Sequence, residues 1–262
     1  MTVYKCELKR GRNALIIWTS AIVLILLVCI GMFPEIAKQS DMVEQIYSQL
    51  GTMSSAFGMD RISMSDALGF YGVECGNMLG LGGAFFAAIL GITALAGEEK
   101  NRTAEFLLTH PISRTSIVKE KLLFILTNLV ILNVACFTFS YIGYLAVGEH
   151  VAVDTFALLH LGYFLTQLEL ASICFCVSSI IRSSNVGIGI GIATLAYMLN
   201  LIANLTSKAE FLKYITPFGY ADAADIITQN ALDAVMVVIG IVVSIATVSF
   251  AFVYYNKKNI NA

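Results

Sequence analysis

The sequence predicts an all-α integral membrane protein with six transmembrane helices and both termini cytoplasmic. It adds a short cytoplasmic helix between spans two and three, and short amphipathic helices outside. Three observations predict this class. The 262 residues are 58% hydrophobic and only 13% charged, against about 45–50% and about 25% in soluble domains. Six apolar runs are long enough to cross a bilayer, at 14–33, 76–97, 122–147, 155–181, 186–205 and 232–255; each crossing needs about 20 residues. Finally, all 16 lysines and arginines fall outside those runs, and they fall unevenly.

One alternating set of connecting segments holds Lys5, Lys9, Arg10, Arg12, Lys100, Arg102, Arg114, Lys119, Lys121, Arg182, Lys257 and Lys258. The other set holds only Lys38, Arg61, Lys208 and Lys213. Short cytoplasmic loops carry the Lys/Arg excess, so the first set is read as inside. The chain is read as one transmembrane domain, residues 1–262. A net charge of −2 gives no footprint for nucleic acid. No CxxC pair occurs among Cys6, Cys29, Cys75, Cys136, Cys174 and Cys176, so neither a zinc site nor a disulfide framework is expected.

Taken in order, the first run follows Lys9, Arg10 and Arg12 and so begins like a signal peptide. Its apolar stretch exceeds the usual 7–15 residues and no small-residue cleavage site follows Phe33, so it is expected to be retained. The first external segment, 34–75, holds six acidic and two basic residues. Within 35–53, Ile36, Val43, Ile46, Tyr47, Leu50 and Met53 recur at helical spacing, which predicts an amphipathic helix on the outer surface or capping the bundle. The last external segment, 206–231, contains Pro217, Gly219 and a mixed apolar–acidic stretch suited to a short helix. It is a candidate for dipping back into the membrane, which irregular backbone does only where protein or water satisfies it.

Small residues dominate span two, with Gly83, Ala87 and Gly91 on one face, and span five carries Gly187, Gly189 and Gly191. The expectation is close helix packing, with a flexible hinge as the alternative. Glu169 is the sole charged residue in the interior of the six apolar runs, Asp233 standing only at the very start of the last one. Asp, Lys or Arg at a span centre costs roughly 2.5–3.5 kcal/mol, and an ionised Glu is taken to be comparable. Gly162, Thr166, Ser172 and Cys176 share its helix face. Two readings stand: Glu169, Thr166, Ser172 and Asn133 line a substrate path, or a protonated Glu169 bonds a neighbour such as Asn133.

Residues 97–121, GEEKNRTAEFLLTHPISRTSIVKEK, form a charge-dense loop between two apolar spans. Glu98 and Glu99 suit the first turn of a helix over 98–108. Pro111 forbids simple continuation, and Thr115 or Ser116 is a candidate cap for the next helix. The stretch Glu98-Glu99-Lys100-Asn101-Arg102-Thr103-Ala104-Glu105-Phe106-Leu107-Leu108, with Pro111-Ile112-Ser113-Arg114 and Lys121, closely resembles permease subunits of the ABC-2 transporter family. The chain has Arg102-Thr103 where Gly-Thr is common there. The resemblance extends to layout: a basic amphipathic N-terminus, six spans, and Pro217-Phe218 between spans five and six.

That resemblance implies a coupling helix seated on a separate ATPase subunit. Glu98, Glu99, Lys100, Arg102, Thr103 and Glu105 would supply its charged and small contacts, and Phe106, Leu107 and Leu108 its apolar anchors. It implies no cofactor on this chain, because no G-x-x-x-x-G-K-[ST] loop occurs; ATP and Mg would bind the partner. Six helices form half a pathway in that family, which implies a second permease copy or paralogue. The expected setting is a bacterial cytoplasmic membrane, with lipid around it. The expected role is a transport subunit of an exporter, not an enzyme. A hydrophobic or amphipathic peptide is the favoured cargo, as in exporters of phenol-soluble modulins, with antibiotics, lipid-linked glycans or ions as alternatives.

A CAAX-type intramembrane protease is the rival of another class. Glu98-Glu99 with Arg102, and Phe106 with His110, only partly match its motifs: the Arg is one residue too close and a third His motif is missing. His150 and His160 lie ten apart without a carboxylate or thiol at ligand spacing.

Overall fold

The computed structural model describes residues 2–39, 42, 45, 46, 49, 51–100 and 112–258. Helix α1 spans Thr2–Lys38, α2 Thr52–Ala56, α3 Ala67–Phe70, α4 Gly76–Ala94 and α5 Ala96–Lys100. Then come α6 Arg114–Ala146, α7 Val153–Ile180, α8 Val186–Leu205, α9 Ala223–Gln229 and α10 Ala234–Lys257. Six helical stretches are long and apolar enough to cross a membrane: α1, the continuous run Ala67–Ala94, α6, α7, α8 and α10. The chain is an all-α integral membrane protein.

Several helices outrun their apolar cores. Helix α1 begins ahead of Lys5 and continues through Pro34 to Lys38, and α6 starts at Arg114, eight residues before the apolar run. The expected first turn of α6 is corrected at its cap. Ser113, not Thr115 or Ser116, accepts the Ser116 backbone N–H in extended conformation, as an N-cap requires. Asn185, Asp222 and Asp233 cap α8, α9 and α10 in the same way. Between α3 and α4 the backbone widens into a π-turn, Tyr71–Cys75.

The amphipathic helix expected over 35–53 lies largely outside the described residues: Val43, Tyr47 and Leu50 are not described, and Glu35–Lys38 belong to α1. Met42 and Ile46 are exposed.

Helices α4 and α7 form the centre. In the most apolar window of each, 61% of residues are buried, against 11% in α10 and 17% in α1. The outer helices therefore present apolar faces, including Ile17, Val134, Leu195 and Ile245, which a bilayer covers. Close packing of α4 on α7 rests on small residues. A Cβ on Gly91 would sit 2.5 Å from the Ala171 carbonyl oxygen, and one on Gly83 would overlap the Gln167 side chain. In α8 the packing expectation holds only at Gly189, which lies against the Ala88 carbonyl. It fails at Gly187, which meets only the capping Asn185, and at Gly191, which faces open space.

Segment 206–231 turns back among the helices. A 3-10 helix, Ser207–Tyr214, leads to a buried run from Thr216 to Ala221. Thr216 Oγ1 donates to the Ala196 carbonyl at 2.7 Å; at about 1.5 Å per residue, that is about 13 Å below the Leu205 end of α8. Phe218 packs edge-on to Tyr197. The run 216–221 is buried against protein, the condition for irregular backbone at depth, while Phe211, Tyr214 and Ile215 are exposed.

Candidate functional site

The residues expected to couple the chain to a partner begin where α4 breaks. Leu95 interrupts the helix, and the freed backbone N–H groups of Leu95 and Ala96 both donate to Ser178 Oγ of α7, at 3.1 and 3.0 Å. Ser178 is fully buried. This side chain satisfies donors that a helix break leaves open, and it fixes the start of α5 against the central helix.

Glu98 and Glu99, on the first turn of α5, then reach in two directions. Lys121 of α6, its side chain 3% exposed, places Nζ 2.8 Å from Glu98 Oε1 and 2.8 Å from Glu7 Oε1 of α1. Arg10 Nη1 stands 3.8 Å from Glu98. Lys258 Nζ lies 2.5 Å from Glu99 Oε1 and donates to the Ile181 carbonyl at 2.8 Å. Arg114 donates to the carbonyls of Tyr255, Asn256 and Lys258, groups that the end of α10 leaves without helical partners. The termini thus meet at one end of the bundle, and α5 is bonded to α1, α6, α7 and the end of α10.

Glu98 and Glu99 were expected in the charged rim facing a partner. The structure turns them inward instead: Glu98 is 7% exposed and the Glu99 side chain 8%. The physical reason is that Lys121 and Lys258 need carboxylates where they are buried. Lys100 is exposed. Arg102, Thr103, Glu105, Phe106, Leu107 and Leu108 lie outside the described residues, as does His110.

Glu169 is buried on α7 and accepts from the Tyr220 hydroxyl at 2.9 Å. Its room comes from Gly240 of α10, where a Cβ would stand 2.6 Å from Glu169 Oε2 and 3.0 Å from the Tyr220 ring. Thr166 donates to the Pro217 carbonyl at 2.8 Å and to its own helix at Gly162. Ser172 donates to the Glu169 carbonyl and accepts from Thr247. One face of α7 therefore holds the re-entrant segment and α10 together. Beside it lies a cavity of about 140 Å³, lined chiefly by apolar residues of α7 and α10 with Tyr220 and Ser244.

Asn133 does not join this group, which corrects the expectation that it neighbours Glu169. Its Nδ2 donates to Gln167 Oε1 at 2.6 Å, on another face of α7. Tyr220 and Gln167 were not anticipated, because nothing local in the sequence marks them as partners. Lys121 was quoted only as part of a motif. His160 is buried in an aromatic cluster, with Nε2 2.9 Å from the Tyr71 hydroxyl. Among the described residues no three His, Cys, Asp or Glu side chains group as metal ligands.

At the opposite end, Arg61 clamps the re-entrant segment. It donates to both Asp222 oxygens at 3.0 and 3.1 Å and to Asp225. Burial acts to lower the Arg61 pKa, but Asp222 and Asp225 outweigh it and hold the guanidinium above its usual value. Lys213 joins Asp225 at 3.1 Å, and Asn204 donates to Asp222 at 2.9 Å.

Six helices fit to span a membrane, a segment folded back among them and an ion-paired helix following span two define a multi-pass membrane protein. The chain belongs to the ABC-2 transporter family: the family model described as ABC-2 family transporter protein matches residues 1–260. No curated protein matches the chain.

Proposed function

We propose that this permease is the transmembrane subunit of an ATP-driven exporter in a bacterial cytoplasmic membrane, working by alternating access with the termini-bearing end inside. A separate ABC ATPase would bind ATP and Mg and contact residues 101–108. A second permease copy or paralogue would complete the pathway. The observation that supports this most is the bonding of α5. A push on the following loop would pass through Glu98 to Lys121 and Glu7, and through Glu99 to Lys258, so α1, α6 and α10 would move with it. A flexible linker would carry no such load.

For cargo we favour a hydrophobic or amphipathic peptide, since the interior around Glu169 is apolar apart from a few hydroxyls and amides. An antibiotic, a lipid-linked glycan or an ion is the alternative. The test leaves the inward glutamates intact and reverses charges only beyond them, with Arg102→Glu and Glu105→Arg together. The permease is co-expressed and co-purified with a candidate ABC ATPase subunit, then assayed for ATP-dependent peptide export in vesicles. The reading expects loss of the ATPase or of coupled transport while the bundle stays folded. Full binding and full transport in the double variant would refute it.

A further inference from the structure

Between the ends of α7 and α10, at the termini-bearing end, lies a cavity of about 440 Å³ lined by Ile180, Arg182, Phe250, Val253, Tyr254, Lys257 and Lys258. Its chemistry divides by depth. Phe250 and Val253, one to two turns before the end of α10, are exposed apolar side chains, and the exposed Ile180 closes α7. Phe250 and Tyr254 stack with ring centroids 5.7 Å apart and planes at 18°. The three cations sit at the helix ends. Lys258 is turned inward to Glu99 and the Ile181 carbonyl. Arg182 and Lys257 are exposed and have no ion-pair partner among the described residues.

Cations at helix C-termini are favourable to the helix dipole, which accounts for one charge at each end. It does not account for two cations, without an ion-pair partner among the described residues, converging on one hollow beside apolar side chains. We infer that this cavity is a binding site for an anionic phospholipid. Arg182 and Lys257 hold the phosphodiester, Arg182 presenting the planar fork suited to phosphate oxygens, and the acyl chain runs from beside Ile180 down Val253 and Phe250. Basic pockets between transmembrane helices recognise such headgroups, and charge complementarity selects an anionic lipid over a zwitterionic one. The volume lies within the roughly 300–1,000 Å³ usual for small-ligand sites. Lys258 lines the same cavity but is already paired with Glu99, which leaves Arg182 and Lys257 as the cations for the phosphate. The inference concerns binding and stands apart from the proposed transport.

The test measures phosphatidylglycerol retained by the purified permease in phosphatidylcholine nanodiscs, by native mass spectrometry, as phosphatidylglycerol replaces phosphatidylcholine. Removing both cations with Arg182→Gln and Lys257→Gln should weaken retention roughly 30-fold, at about tenfold for each 1.4 kcal/mol and about 1 kcal/mol for each basic residue near an anionic surface. The charge-preserving pair Arg182→Lys and Lys257→Arg should keep most of it. Lys9→Gln with Arg12→Gln, which removes two exposed charges from α1, should leave it unchanged. Equal retention by wild type and the Arg182/Lys257 double variant would overturn the site. So would an equal loss in the Lys9/Arg12 control, which would reduce the effect to overall charge. Protection by inorganic phosphate alone would make this a free-anion site and overturn the lipid assignment. Copy-to-copy cross-linking through Tyr254→Cys with no lipid retained would assign the face to a second subunit and overturn it too.

Discussion

Lys121 of α6 and Glu98 of α5 form a buried ion pair, Nζ to Oε1 at 2.8 Å, and Glu7 shares the same ammonium at the same distance. The pair joins the helix that follows span two to the start of span three, at a place where water cannot replace either partner. Removing one member of a buried pair leaves a charge stranded and costs about 3–5 kcal/mol. Lys121→Met should therefore lower the thermal midpoint in detergent by several degrees. Adding Glu98→Gln to that variant should restore part of the loss. A Lys121→Met protein as stable as wild type would show that the pair contributes nothing.

Glu169 and Tyr220 should behave as one unit. Tyr220→Phe and Glu169→Gln each perturb a single hydrogen bond, and a double-mutant cycle between contacting groups gives a coupling of about 0.5–3 kcal/mol. Gly240→Ala should cost about 1–3 kcal/mol by overpacking, because its Cβ falls 2.6 Å from the carboxyl oxygen. Additive single and double effects in unfolding would dissolve the unit. For transport, Glu169→Gln should alter activity while leaving assembly intact, and normal transport would leave Glu169 a structural role alone.

Two glycines predict opposite outcomes for the same substitution. Gly91→Ala drives a Cβ to 2.5 Å from the Ala171 carbonyl, and separating α4 from α7 should cost about 1–3 kcal/mol. Gly191→Ala meets nothing within 4 Å, so it should be neutral or gain up to about 1 kcal/mol in helix propensity. Matched unfolding midpoints for the two variants would contradict this assignment of helix faces.

Asp222 does more than Arg61 in their clamp. It caps α9 through the N–H groups of Ala224 and Asp225, accepts from Asn204 and pairs with Arg61. Asp222→Ala should exceed Arg61→Ala in cost by at least the cap, about 1 kcal/mol. Arg61→Ala loses the pairs with Asp222 and Asp225 but leaves the cap intact, and the partly exposed guanidinium is solvent-screened. Protease cleavage within 206–231 should rise in the same order, and the reverse order would contradict the ranking.

Cysteine labelling checks orientation with little engineering. Cys6 is exposed at the termini-bearing end, and Ser65 is exposed near Arg61 at the other. A membrane-impermeant maleimide added to intact cells should label Ser65→Cys and spare Cys6. External labelling of Cys6 would invert the topology and remove the 98–121 loop from contact with any cytoplasmic ATPase.

The six spans were legible because crossing a bilayer is a local demand: each helix must be apolar over about 20 residues whatever surrounds it. Glu169 stood out for the same reason, as a lone carboxyl within an apolar run. Its partner did not, since Tyr220 lies 51 residues away and reaches it only because the segment around Pro217 folds back between helices. Glu98 and Glu99 were read as facing outward from their place in a charge-dense loop. Whether a charge on a short helix points out or in depends on what the neighbouring helices present. Here Lys121 and Lys258 arrive from 23 and 159 residues away. Local hydrophobicity and cap chemistry are properties of the sequence by itself, so it determined the membrane class, the number of crossings and the motif of the loop. Ion pairs and hydrogen bonds between helices depend on rotation and depth, which only packing fixes. The tertiary structure alone therefore decided which polar groups are joined and which remain open to a ligand.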